Sequence, residues 1–171
     1  MRYNKIQRCE YVNGNNIGVS LFLQGCSIRC KGCFNPETWD FNEGREFTPR
    51  VKKYLFNLLN KEYITRFSIL GGEPLERCNW EKLNSLIKEV KQCFPEIKIW
   101  LYTGHTSEYW SITHKDRTLT SILKNIDVLV TGPYIQEQKD LTLPFRGSSN
   151  QEIIDVRRSW EEHKKITLYD V

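Results

Sequence analysis

Cys26, Cys30 and Cys33 put three thiols into the eight-residue run Cys26-Ser27-Ile28-Arg29-Cys30-Lys31-Gly32-Cys33. Thiols so spaced can wrap a single metal centre, and cysteine sulfur favours zinc or an iron–sulfur cluster. A four-iron cubane takes four ligands, so a loop that offers three leaves one iron open. A structural zinc site closes all four positions, commonly with two Cys pairs or a Cys pair and a His pair, and no second pair occurs here. An electron-transfer ferredoxin reads C-x2-C-x2-C with a distant Cys-Pro, and none of Cys9, Cys78 and Cys93 is followed by proline. The spacing favours an incompletely ligated, reactive cluster. A structural zinc that borrows one of those three other cysteines is the competing reading. In either case the metal would hold the thiols as thiolates.

Three further turns sit at the ends of short apolar runs. Gly71-Gly72-Glu73-Pro74 follows Phe67-Ser68-Ile69-Leu70, Thr103-Gly104-His105 follows the strand expected over Ile97 to Tyr102, and Gly132-Pro133 follows Asp127-Val128-Leu129-Val130. A strand often ends in glycine because only Gly tolerates the dihedrals of such a turn. Glu73 suits either a bond to a positive charge or the cap of the next helix. His105, a lone histidine at a strand end, reads as a surface or packing residue.

The elements that must carry these loops are legible from periodicity. Residues 3 to 12 suit an edge strand, and Val12-Asn13-Gly14-Asn15-Asn16 a turn. Ile17 to Gln24 reads as a strand in which Val19, Leu21 and Leu23 alternate with Ser20, Phe22 and Gln24, stopping at Gly25 just before the cysteines. Val51, Tyr54, Leu55, Leu58 and Leu59 have helical spacing over Thr48 to Tyr63, with Thr48-Pro49 as cap and first position. A second helix runs from about Asn79, with Trp80, Leu83, Leu86, Ile87, Val90 and Phe94 on one face and Pro95 ending it. The region 106–126 reads as mostly helical with a loop over Ser111 to Thr118, and 136–150 as irregular. Ile153 to Val156 suits a last short strand, and Lys165 to Tyr169, in the charged end from Trp160 to Val171, can still pair with a sheet.

Strand–helix alternation of this kind predicts an α/β fold with a parallel sheet and helices outside it. The strands are too few for a closed eight-stranded barrel, so the expectation is an open, partial (β/α) barrel whose missing side admits a large substrate. Ligands of such sheets bind beyond the carboxyl ends of the strands. The cysteine run and the three glycine turns all begin there.

The 171 residues suit one domain, 1–171, with 39% hydrophobic and 27% charged residues. No apolar run suits a signal peptide or a membrane span, so a cytoplasmic location with no membrane partner is expected. A reducing compartment and the clustered triplet argue against three disulfides, which leaves Cys9, Cys78 and Cys93 as ordinary thiols. The net charge of +4 is spread along the chain, with no block beyond pairs such as Lys52-Lys53 and Arg157-Arg158, so no nucleic-acid partner is expected.

The triplet Cys26-x3-Cys30-x2-Cys33 resembles the signature of the radical S-adenosylmethionine (SAM) superfamily. Gly32 before the third cysteine and Phe34 after it resemble the glycyl-radical-activase branch. Asp127-Val128-Leu129-Val130-x-Gly132 and Arg146-Gly147-Ser148-Ser149-Asn150-Gln151 are similar to the activases of the anaerobic ribonucleoside-triphosphate reductase, and the likeness runs from about Val12 to Val156. Two departures stand out: Asn15-Asn16 lacks the usual Gly-Pro step, and His105 stands where Tyr is more usual.

The resemblance implies a radical SAM type of partial barrel and one [4Fe-4S] cluster per chain on Cys26, Cys30 and Cys33. It implies that SAM chelates the open iron and is cleaved reductively, and that the resulting radical takes a hydrogen from a glycine of the large reductase subunit. It also implies an electron donor of flavodoxin type. Gly71, Gly72 and Glu73 match the motif that holds the SAM ammonium group. Gly32, Cys33 and Phe34 would lie against the cofactor, with Phe34 on adenine or, alternatively, in the core. Thr103 matches the family's aromatic-Thr-Gly turn, and Arg146 would touch partner or cofactor. Radical hydrogen transfer needs no general base, so no catalytic side chain beyond the cluster is expected. The alternatives are a small-molecule radical SAM enzyme of deazapurine synthase type, an activase of another glycyl radical enzyme, or a zinc or iron–sulfur module that scaffolds a complex.

Overall fold

A computed structural model describes residues 1–108 and 116–169. Its strands are β1 (Arg2–Glu10), β2 (Gly18–Leu23), β3 (Arg45–Glu46), β4 (Arg66–Gly71), β5 (Lys98–Tyr102), β6 (Val128–Thr131) and β7 (Glu152–Asp155). The α-helices among the described residues are α1 (Pro49–Leu59), α2 (Trp80–Cys93), α3 (Arg117–Lys124) and α4 (Val156–Glu161).

The strands form one sheet in the order β3-β1-β2-β4-β5-β6-β7, and its two edges do not meet. The expected parallel sheet is its centre, where β2, β4, β5 and β6 pair in parallel. Both flanks are antiparallel instead: β1 against β2 and β3, and β7 against β6. The connections explain this. The turn over 11–17 is too short for a crossover, and the chain between β6 and β7 holds no α-helix to carry it back to the far end of the sheet.

Alternation decides which face meets the helices. Leu21, Ile69, Leu101 and Leu129 are in register across the parallel centre and join the large core with Leu55 and Leu59 of α1, Leu83 and Ile87 of α2, and Leu119 and Ile122 of α3. The other face carries the register row Ser20, Ser68, Trp100 and Val128. Every residue of β2 is buried, polar positions included, so its second face is covered as well. The cover is irregular chain rather than helix. Phe145 and Leu168 pack on Trp100, Val128, Val130 and Ile153, and the turn over 13–16 closes on Arg66.

Local signals place most helix starts. Thr48 accepts a bond from Val51 N at 3.4 Å with Pro49 following, as its sequence predicts. The helix ends at Leu59, short of the expected Tyr63, because the chain turns at Asn60 to bring Ile64 into the core. Of the expectations for 106–126, those at 109–115 lie outside the described residues. The expected loop to Thr118 is shorter at its described end: Asp116 Oδ1 accepts from Thr118 N (2.8 Å) and Leu119 N (3.1 Å), and the helix starts at Arg117. Val156, expected at the end of the last strand, instead opens α4, because Asp155 caps it by accepting from Arg158 N at 2.9 Å. The tail does pair, through Leu168 N to Ile153 O (2.7 Å) and a bridge between Ile154 and Thr167. No helix among the described residues is long and apolar enough to cross a membrane.

Candidate cluster and cofactor site

The cysteine loop leaves the carboxyl end of β2 in the centre of the sheet. Its first step is tied to the chain after it: Gly25 N donates to Thr38 O (2.8 Å) and Cys26 N to Trp39 O (3.1 Å). Gln24, buried beneath, donates to the carbonyls of Glu37 (3.0 Å) and Asp40 (2.8 Å). Arg29 and Gly32 take left-handed dihedrals, φ 50° and 75°, which curl the loop so that Cys33 N reaches Cys30 O at 3.1 Å. Cys26 is buried, and Cys30 and Cys33 are half-buried. Cys9, Cys78 and Cys93 are exposed, on β1, beyond the Gly71 loop and at the end of α2.

Burial pushes the Cys26 and Cys30 thiols up, and the neighbouring thiols and Glu73 add to it. Backbone N–H groups oppose the rise: Arg29 and Ile28 donate toward Cys26, and Tyr134 toward Cys30. A bound metal reverses the balance, because a coordinating thiol is deprotonated by the ion's own charge. Among the described residues no three His, Cys, Asp or Glu side chains are disposed as a metal-holding group. The loop brings the three thiols into one neighbourhood without drawing them into a closed site.

The Gly71–Gly72 turn lies directly against this loop. Gly72 N donates to Leu23 O (2.9 Å) and Glu73 N to Gly25 O (2.9 Å). A Cβ on Gly72 would stand 2.4 Å from Gly25 O, and Gly71 has φ 102° with Leu23 backbone atoms 2.9 Å from where its Cβ would be. Only glycines allow the ends of β2 and β4 to approach so closely.

Glu73 is 1% exposed and ties two loops together. Its Oε1 accepts from Leu75 N and Thr103 Oγ1, and its Oε2 from Gly104 N, each at 2.8 Å. Burial outweighs these three donors and pushes the carboxyl up to about 7, with the Glu76 charge adding to the rise. Glu73 does not cap the next helix, since α2 begins after Asn79. Thr103 N in turn donates to Val130 O (2.8 Å), and Gly132 N to His105 O (2.9 Å), which links the turns after β5 and β6. Burial lowers the His105 pKa, and Glu76 works against it.

A wall from 134 to 147 closes one side of the cysteine loop. Phe34 is 54% exposed, so it is not a core residue, and its ring lies 4.9 Å from Tyr134 at 53°. Lys139 Nζ stands 5.7 Å from the Phe34 ring centre. Gly32 is as tight as the strand-end glycines, since a Cβ there would meet Gln136 Oε1 at 2.1 Å. Gln136 accepts from Tyr134 Oη at 2.9 Å. Arg146 turns to its own chain, donating to the carbonyls of Gln151 (2.9 Å) and Tyr169 (3.0 Å). Asn150 donates to Pro133 O (2.8 Å) and Gln151 to Gly132 O (3.0 Å), so the run that begins at Arg146 braces the turn after β6.

The sequence singled out neither Tyr134 and Gln136 nor Glu76, whose Oε1 accepts from Ser27 N at 2.7 Å. The Gly132-Pro133 turn marks where the wall begins, but no local pattern marks which side chains reach the loop. A cavity lined by Asn15, Thr65, Lys98, Trp100 and Asp127 opens at the opposite end of the strands, and its Lys98 pairs with Asp127 at 3.6 Å.

Comparison with known proteins bears on this site. The model of the 4Fe-4S single cluster domain family matches residues 12–154. The chain is 38% identical over 153 residues to the anaerobic ribonucleoside-triphosphate reductase-activating protein of Enterobacteria phage T4, covering 90% of this chain and 93% of that protein. It is 36% identical to the protein of that name from Vibrio cholerae serotype O1 (90% and 97% covered) and 33% identical to that of Escherichia coli K12 (92% and 100% covered).

Proposed function

The chain belongs to the 4Fe-4S single cluster domain family and to the anaerobic ribonucleoside-triphosphate reductase-activating proteins, and from that premise we propose how its residues do an activase's work. Cys26, Cys30 and Cys33 hold one [4Fe-4S] cluster as thiolates and leave its fourth iron to SAM. When bound, that group would supply the one electron for reductive cleavage of SAM, the chemistry by which a hydrogen atom would be taken from a glycine of the large reductase subunit.

The observation that supports this reading is the junction of three strand-end loops at Cys26. Glu73 N bonds to Gly25 O, the residue before the first cysteine, while its carboxylate holds Thr103 and Gly104. Gly71 and Gly72 let the end of β4 close on the end of β2, which sets Glu73 beside the cysteine loop. Glu73 is a buried carboxylate whose charge burial penalises, and an ammonium group arriving beside it would relieve that cost. Gly32, Cys33 and Phe34 would lie against the cofactor from the side of the 134–147 wall, and Thr103 keeps the Glu73 carboxylate oriented. The reading extends to 1–171 as one domain, an open partial barrel of radical SAM type, a flavodoxin-type reductant and a cytoplasmic setting.

The test is anaerobic. The chain is reconstituted with iron and sulfide, reduced, and mixed with SAM and the reductase; 5′-deoxyadenosine and the glycyl radical signal are then measured. Both are expected from the wild type and neither from Cys30→Ala. A wild-type chain with a full, reduced cluster that yields neither product in the presence of the reductase would overturn the reading.

A further inference from the structure

We propose that Glu76 is a positioning residue that holds the first arm of the cysteine loop in shape before metal arrives; the inference rests on the reading of that loop as the cluster ligand loop. Glu76 Oε1 accepts the Ser27 N–H at 2.7 Å, one residue beyond Cys26. That distance is typical of a charge-assisted bond.

The carboxylate is carried on a fixed turn. Glu76 N donates to Glu73 O (3.2 Å), and Glu76 O accepts from Asn79 N (2.8 Å), just ahead of α2. Cys26 is thus held from two sides, by Trp39 O on its own N–H and by Glu76 on the next. Farther along, Cys33 N donates to Cys30 O at 3.1 Å. Between these anchors Arg29, a non-glycine residue, sits at φ 50°. A residue in that region persists when its surroundings over-determine it.

Glu76 also stands close enough to Glu73 to raise its pKa, so its position costs repulsion between two carboxylates. The bond from Ser27 N offsets that repulsion, and His105 also feels the Glu76 charge. A neutral acceptor of the same shape would keep that bond, which separates the positioning role from a role of charge.

The experiment compares wild type, Glu76→Gln and Glu76→Ala. In the metal-free protein, amide exchange over 26–33 is expected to quicken about tenfold or more in Glu76→Ala and to stay within about threefold of wild type in Glu76→Gln, while β4 and α2 keep their protection. After reconstitution, iron loss to a chelator follows the same order, fastest in Glu76→Ala and near wild type in Glu76→Gln. Unchanged exchange over 26–33 in Glu76→Ala overturns the proposal. So does a general rise across β4 and α2, or a Gln variant as fast as Ala. A wild-type chain that takes up no iron overturns the cluster reading alone, because the exchange comparison on metal-free protein still decides the brace.

Discussion

Three donors point at the Glu73 carboxylate, and each favours its ionised form; burial opposes them and prevails, so the carboxyl titrates at about 7 instead of 4.5. The folded chain therefore binds more protons than the unfolded one between those values, and the stability of the metal-free protein falls as pH rises through that window. The full span amounts to about 3 kcal/mol at most. His105, whose pKa is lowered, acts in the opposite sense below its ordinary 6.5. The measurement is thus the difference in denaturant stability between wild type and Glu73→Gln across pH 4.5 to 7, a window set by those two Glu73 values. A flattened slope in the variant is the expected result, and an unchanged slope counts against the assignment. Gly32 offers a second test at this scale. Gly32→Ala forces an L-residue to φ 75° and a Cβ onto Gln136, costing about 1–2 kcal/mol from the dihedral alone. Adding Gln136→Ala should recover the clash but not the dihedral cost, as thermal melts of both variants would reveal.

Loops meet here because elements stop where they do. The ends of β2 and β4 approach through glycine backbone, so Gly72→Ala drives a Cβ to 2.4 Å from Gly25 O, an atom that cannot swing aside. The variant should lose about 1–3 kcal/mol and hold less iron after reconstitution, measured by unfolding and metal analysis. A variant that folds and loads like wild type would show that the two loops need not touch. Among the described residues the Asp116 side chain bonds to its own helix: Asp116→Ala removes the acceptor for Thr118 N and Leu119 N and should cost about 1 kcal/mol without changing iron content.

At the scale of the molecule, the sheet has a helical face and a face closed by loops, and Arg66 is the pin of the second. It pairs with Glu10 at 2.8 Å and is 1% exposed. It also donates to Asn15 O (3.0 Å), Glu10 O (2.9 Å) and Asn16 O (3.3 Å), fastening the turn over 13–16 to the centre of the sheet. Arg66→Leu leaves the buried Glu10 carboxylate without its cation, although Val12 N, Asn13 N and Ser20 Oγ still donate to it, and leaves several carbonyls without their donor, for an expected loss of about 3–5 kcal/mol. Arg66→Leu with Glu10→Leu should lose less than Arg66→Leu alone, because the stranded charge is gone. Denaturant unfolding of both decides it, and a double variant worse than the single one would mean that the bonds Glu10 accepts from Val12 N, Asn13 N and Ser20 Oγ outweigh the stranded charge.

Much of this was written locally. A strand that stops at Gly25 before Cys26, the cap at Thr48-Pro49, the apolar face of α2 and the glycine turns after β4, β5 and β6 all depend on neighbours within a few residues, and periodicity or turn chemistry exposes such relations directly. Tertiary structure alone decided the antiparallel flanks, the wall of Tyr134 and Gln136 beside Gly32, the Glu76 contact with Ser27, the turning of Arg146 onto the tail, and the pin at Arg66. Each depends on how separate segments meet once the sheet has formed. A single polar residue in a loop carries no period by which to announce its partner; burial and geometry choose it once the sheet has brought the loops together.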